Sequence, residues 1–113
     1  MKVLYEDNHI IAVSKTCHEI VQGDKTGDTP LSETVKAYIK EKYQKPGEVF
    51  LGVTHRLDRP TTGVVLFART SKALSRLNEM FKSHEKIKKT YWAIVQSPPP
   101  TPQGRLENYL WRN

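Results

Sequence analysis

One cysteine, Cys17, is all that the 113-residue chain contains, so no internal disulfide can form. Its four histidines are scattered and form no ligand cluster, which argues against structural zinc. The longest apolar runs, Val64 to Ala68 and Tyr91 to Val95, are five residues each. Crossing a bilayer takes about 20. The opening residues, MKVLYEDNHI, lack the apolar centre of a signal peptide. A soluble, cytoplasmic chain with no membrane segment is expected. Dinucleotide fingerprints, phosphate-cradling loops and metal motifs are also missing, so no cofactor is expected. Hydrophobic residues make up 37% of the chain. Adding the 6 glycines gives roughly 42%, just under the usual globular range, so the core should be modest.

Charge is present and unevenly placed. Residues 1–54 carry 7 Lys against 8 acids, whereas residues 55–113 carry 11 Lys or Arg against 4 acids. The formal net charge of +6 is therefore local to the second half. Between His55 and Lys89 lie nine cations, opposed only by Asp58, Glu79 and Glu85. Such a patch attracts polyanions, because each neutralised phosphate releases condensed counterions. A solvated helix face explains the charge alone equally well.

Residues 3–6 and 9–14 are short aliphatic and β-branched segments around Asp7-Asn8, a hairpin pattern. Residues 15–29 are polar and glycine-containing, as in a surface loop. Thr29 as N-cap and Pro30 at the first helical position would open a helix carrying Leu31, Val35, Tyr38 and Ile39, stopped by Pro46-Gly47. Val49 to Gly52 and Gly63 to Ala68 read as strands, the second apolar enough for burial on both faces. Ser71 would cap a second helix with Leu74, Leu77 and Phe81 on one face. Lys89 to Gln96 reads as a strand with Trp92 in the core. Ser97 to Gly104 holds four prolines and forms a stiff connector, after which Arg105 to Trp111 could begin another strand. The whole is an α+β arrangement: a mixed, mainly antiparallel sheet with packed helices.

The segment Thr54 to Gly63, centred on HRLDRPTT, joins two expected strands, where a scaffold can hold reactive groups at a surface. Asp58 stands beside Arg56 and Arg59, and an adjacent cation favours the ionised carboxylate, ready to act as nucleophile or base. The alternative is a turn cap or an Asp58–Arg59 ion pair.

Four ordered blocks narrow the choice: VLYEDNHIIAVSK, HRLDRPTTGVVLFART, SKALSRLNEMF and KKTYWAIV. Together they resemble the RNA pseudouridine synthases of the HRLD type, which isomerise uridine in ribosomal or transfer RNA. The resemblance extends over nearly the whole chain. It implies that Asp58 is the catalytic aspartate, that Arg56 inserts into the RNA stack as the uridine leaves, and that Tyr91 stacks on the uracil. Extruding a base takes a few kcal/mol, which an inserted side chain and an aromatic face can offset.

His55 and Arg59 could touch RNA phosphate or brace the loop. Thr62 stands where the family commonly has Ser, and Lys89 could reach phosphate or uracil. Thr16-Cys17-His18 departs from the family pattern, which leaves the early loop's geometry open. A further family motif, with a basic residue that pairs with the aspartate, has no counterpart among these residues. The expectation is therefore an incomplete catalytic domain, inactive or nearly so alone, able to self-associate, with no RNA-binding domain ahead of it. Competing readings are a non-catalytic RNA-binding module and, more remotely, a phosphodiesterase using His55 and Asp58.

Overall fold

Alternating side chains build the first two strands. β1 (Lys2–Glu6) and β2 (Ile10–Lys15) pair antiparallel, with a register shift between Val3 and Tyr5. Asp7 forms the turn: its Oδ1 accepts from the His9 and Ile10 amides at 2.7 and 2.8 Å. The computed structural model describes the chain except Asp24, Lys25, His84, Leu106, Asn108 and residues 110–113. The element order continues with α1 (Leu31–Lys42), β3 (Gly52–Val53), β4 (Gly63–Ala68) and α2 (Ser71–Ser83). The sheet order is β1-β2-β4-β3 and every pairing is antiparallel, so the expected mixed component is absent among the described residues.

Period-two alternation divides the sheet into two faces. Ile11, Val13, Val65 and Phe67 form one buried cluster with Leu31, Val35 and Ile39 of α1. On the other face Ala68 is buried with Ala73 and Leu77 of α2, flanked by Ile10, Leu66 and Leu74. β4 is thus covered on both sides, although its second residue, Val64, is 58% exposed. β3 is shorter and later than expected. Val49 and Leu51 pack against the core without strand pairing, and only Gly52 and Val53 join β4. A Cβ on Gly52 would lie 2.8 Å from Leu74, so the bare glycine lets α2 approach the sheet.

Helix ends also differ from expectation. Pro30 is the N-cap of α1, with extended backbone and no side-chain cap, so Thr29 does not serve there. Loop carbonyls do that work: the Leu31 amide donates to Ile20 O at 2.7 Å and the Ser32 amide to Val21 O at 3.1 Å. At the other end α1 stops at Lys42, before Pro46-Gly47. Gln44 turns left-handed (φ 48°), and amides of Gln44 and Lys45 donate to the Glu41 and Lys40 carbonyls, a Schellman closure. Thr70, not Ser71, caps α2, its Oγ1 accepting from the Ala73 amide at 3.1 Å.

Residues 89–96 form no strand. Their backbone has no pairing partner among the described residues, and an unpaired segment cannot be a sheet member however apolar it is. Trp92, expected in the core, is 96% exposed, and Tyr91, Ile94 and Val95 are exposed beside it. Residues 97–104 run through bends without regular structure. The expected strand at 105–111 lies largely outside the described residues. No described helix is long and apolar enough to cross a membrane.

Candidate functional site

The site begins where β3 stops pairing with β4. The ladder's last backbone pair is Val53 with Phe67. At the next position side chains replace the backbone: Thr54 Oγ1 donates to Leu66 O at 2.9 Å, and His55 Nε2 accepts from the Leu66 amide at 3.0 Å. Both polar groups of Leu66 are satisfied, while the backbone from His55 onward is released from the sheet. The next three residues alternate. Arg56 and Asp58 are exposed, and Leu57 turns inward against the buried cluster of β2, β4 and α1. Gly63 restarts the sheet with φ 149°, a value that side-chain-bearing residues rarely adopt.

Arg56, Leu57, Asp58 and Arg59 line a cleft of about 600 Å³. Its other wall is Ile20, Val21, Gln22 and Gly23. The amino-terminal amides of α1 hold that wall through the Ile20 and Val21 carbonyls. Arg59 joins the two walls: its guanidinium donates to His18 O and Asp28 Oδ2, each at 3.0 Å, and to Thr26 Oγ1 at 3.4 Å. It therefore braces the loop and does not form the ion pair with Asp58 that proximity in sequence offered. Among the described residues no hydrogen bond or ion pair engages the Asp58 carboxylate, which stands exposed in the cleft.

His55 also serves the scaffold. Its ring stacks on Phe81 of α2, centroids 4.9 Å apart, and Nε2 must be unprotonated to accept from Leu66. Burial, followed by the charge of Lys89, holds its pKa below the ordinary 6.5. In the window between that lowered value and 6.5 the unfolded chain binds the proton more readily. Stability from this group is therefore full above about pH 6.5 and declines as pH falls toward the folded value. Chemical denaturation should show a falling midpoint between about pH 7.5 and about pH 5.5. That slope should flatten in His55→Gln, which keeps an acceptor but does not titrate. An unchanged slope would assign it to another group.

Lys89 lies over the Phe81 ring of this stack, its Nζ 5.9 Å from the centroid. The expected site residues thus fall into groups. Arg56, Asp58 and Arg59 share the cleft, and His55 and Lys89 share Phe81. Thr62 and Tyr91 are exposed and line neither. Gln22 in the facing wall, Asp28 as partner of Arg59 and Lys15, whose Nζ donates to the Arg59 and Thr61 carbonyls at 2.7 Å each, did not figure among the expected site residues. Only Lys15 carried a signal, the alternation that puts it on the same face as Ile11 and Val13. The commitment of His55 to Leu66 also removes the basis for a phosphodiesterase, and no described group of three or more His, Cys, Asp or Glu could hold a metal.

Comparison with known proteins follows the same residues. A family model described as RNA pseudouridylate synthase matches residues 9–113. The chain is 35% identical over 99 residues to tRNA pseudouridine synthase C of Vibrio cholerae, covering 85% of this chain and 37% of that protein. It is 34% identical over 108 residues to ribosomal large subunit pseudouridine synthase C of Escherichia coli, covering 96% and 30%. With the mitochondrial pseudouridylate synthase RPUSD4 of Xenopus tropicalis it shares 30% over 106 residues, covering 94% and 32%. The solved structure of human RNA pseudouridylate synthase domain containing 4 superposes with a TM-score of 0.62 at 23% identity, over 74% of this chain and 30% of that one, a likeness of fold. The chain spans about a third of the length of these curated relatives. With the model matched from the first hairpin turn onward and the HRLD segment forming the cleft loop, the chain belongs to the RNA pseudouridylate synthase family.

Proposed function

We propose that Asp58 is the reactive carboxylate in the isomerisation of uridine to pseudouridine in structured RNA, ribosomal or transfer. One observation carries the reading: an exposed carboxylate with no protein partner among the described residues, in a cleft whose neighbouring arginine is tied elsewhere. A group held for structure would be engaged, whereas this one is open to a ligand. In the reaction the bond from ribose C1′ to uracil N1 breaks, the base turns, and C1′ joins C5. The C5 hydrogen is lost and N1 gains one. Attack on C1′ and removal of a sugar proton both use an ionised carboxylate beside the ribose.

Arg56, exposed at the cleft, is proposed to fill the space the extruded base leaves. Tyr91 is proposed to stack on the uracil, and Lys89 and Thr62 to contact RNA; their exposure supports access. Exposed Lys72, Arg76 and Lys82 on α2 extend the positive surface for phosphate. His55 and Arg59, committed to protein partners, support the loop in this reading. The RNA is proposed to be met in the cytoplasm.

RNA labelled with tritium at uracil C5, incubated with the full product of the gene, whatever its length, tests this. Release of label is expected. RNA binding with no release would overturn it in favour of a non-catalytic RNA-binding module.

A further inference from the structure

The side chains lining the cleft differ in what they can exchange with a ligand. Ile20, Val21 and Leu57 are apolar, and Gly23 offers only backbone. An arginine only donates and an ionised aspartate only accepts, which leaves Gln22 as the single lining side chain that does both. Gln22 is exposed, and among the described residues no hydrogen bond engages its carboxamide.

That carboxamide springs from a fixed point. Ile20 and Val21, immediately before it, are 8% and 2% exposed, and their carbonyls accept from the Leu31 and Ser32 amides of α1 at 2.7 and 3.1 Å. Val21 belongs to the buried cluster of β2, β4 and α1, so the chain passes from core to cleft within one residue. Across the cleft, the turn after Asp58 is closed by the Thr61 amide, which donates to Asp58 O at 2.9 Å. Arg59 ties the two sides together through His18 O and Asp28. Gln22 and Asp58 therefore face one another from walls whose separation is set.

The chemistry of uridine decides which part of it lies between them. Attack on C1′ and removal of a sugar proton both need the carboxylate beside the ribose. The uracil is read as stacking on Tyr91, which lies outside the cleft, so the ribose is the part that Gln22 faces. In an RNA chain the 3′ and 5′ oxygens are esterified and, like the ring oxygen, only accept. The 2′-hydroxyl alone donates and accepts, which matches a carboxamide, and DNA lacks it. It sits on C2′, directly beside the carbon that changes partner. While the base is detached and turning, a bond to that hydroxyl keeps the sugar in place.

We infer that Gln22 binds the 2′-hydroxyl of the target uridine, selecting ribose over deoxyribose and holding C1′ toward Asp58. The inference rests on the reading of Asp58 as the reactive carboxylate.

Transcripts of ribosomal and transfer RNA labelled with tritium at uracil C5, made with uridine or with 2′-fluorouridine throughout, test it. Fluorine keeps the RNA-like pucker of the sugar but cannot donate. Gln22→Leu in the full gene product should lower kcat/KM for label release about tenfold on the ordinary transcripts. On the fluorinated transcripts it should change the rate by less than about twofold, because the bond it removes is already missing. In binding, which fluorine's effect on the chemistry does not touch, the unsubstituted protein should prefer the ordinary transcripts by about threefold or more, and Gln22→Leu should show no preference. The melting temperature should stay within about 2 °C of the original, since Gln22 has no described protein partner. An equal loss on both transcripts, no loss on either, a binding preference that survives in the variant or is missing from the unsubstituted protein, or a large fall in melting temperature would each overturn the inference. Absence of label release by the unsubstituted protein, with its binding preference still erased by Gln22→Leu, would instead fail the reading of Asp58 alone.

Discussion

Asp58→Asn in the full gene product is expected to lower the rate of uridine isomerisation by about 1000-fold or more while the protein stays folded. The substitution keeps the size and shape of the side chain and removes the charge. An amide can neither attack C1′ nor take a proton from the sugar, so either role of the carboxylate is lost. The fold should not register the change, because no described protein group bonds to the carboxylate and Asp58 contributes to its turn through its backbone carbonyl alone. The expected pattern is tritium release near background, a melting temperature within about 2 °C of the original, and RNA affinity retained. Release at more than about a tenth of the original rate would remove Asp58 from the chemistry. A large fall in melting temperature would mean that the carboxylate has a structural partner.

What could be read from the sequence followed local periodicity. The first hairpin, both helices and the limits of β4 are each specified locally, by β-branched segments around a turn, by helical spacing and by a continuous apolar run. The misplacements share a cause, since each depends on something distant in the chain. The apolar content of residues 89–96 satisfies a strand pattern, but a strand exists only where a neighbour pairs with it. β3 moved to Gly52–Val53 because pairing with β4 is set by the approach of Leu74 on α2 to a residue without a side chain. The end of α1 follows from the left-handed turn at Gln44, earlier than the proline that sequence rules favour.

The site divides in the same way. HRLD lies within one contiguous loop, so Arg56 and Asp58 were legible together. The facing wall was not, because Gln22 is brought opposite Asp58 by amides at the start of α1. Arg59 illustrates the difference most directly. Its sequence neighbour is Asp58, yet its spatial partner is Asp28, 31 residues away. That distant pairing is what leaves the Asp58 carboxylate unclaimed. Lys15 was legible in principle, since period-two spacing after Ile11 and Val13 points a cation into the interior. A buried cation must meet acceptors, and the only question was which loop would supply them.

Phe67→Ala tests whether the scaffold and the site are one cooperative unit. Phe67 is fully buried in the strand between β2 and β3, opposite Ile11 and Val53, among α1 residues Val35 and Ile39. Removing the ring leaves a cavity that neighbours on three elements cannot fill, at a cost of about 3–5 kcal/mol. Domains of this kind are stable by only about 5–15 kcal/mol, so the variant should lose a large fraction of its stability. Chemical denaturation should show the midpoint falling steeply with little change in slope. Phe67 also sits next to Leu66, whose amide and carbonyl hold His55 and Thr54 at the point where the site loop leaves the sheet. Local opening of β4 therefore frees the loop as well, and exchange of the Leu66 and Thr61 amides should accelerate together in Phe67→Ala. A stability loss below about 1 kcal/mol would place the principal core elsewhere than the face between β4 and α1.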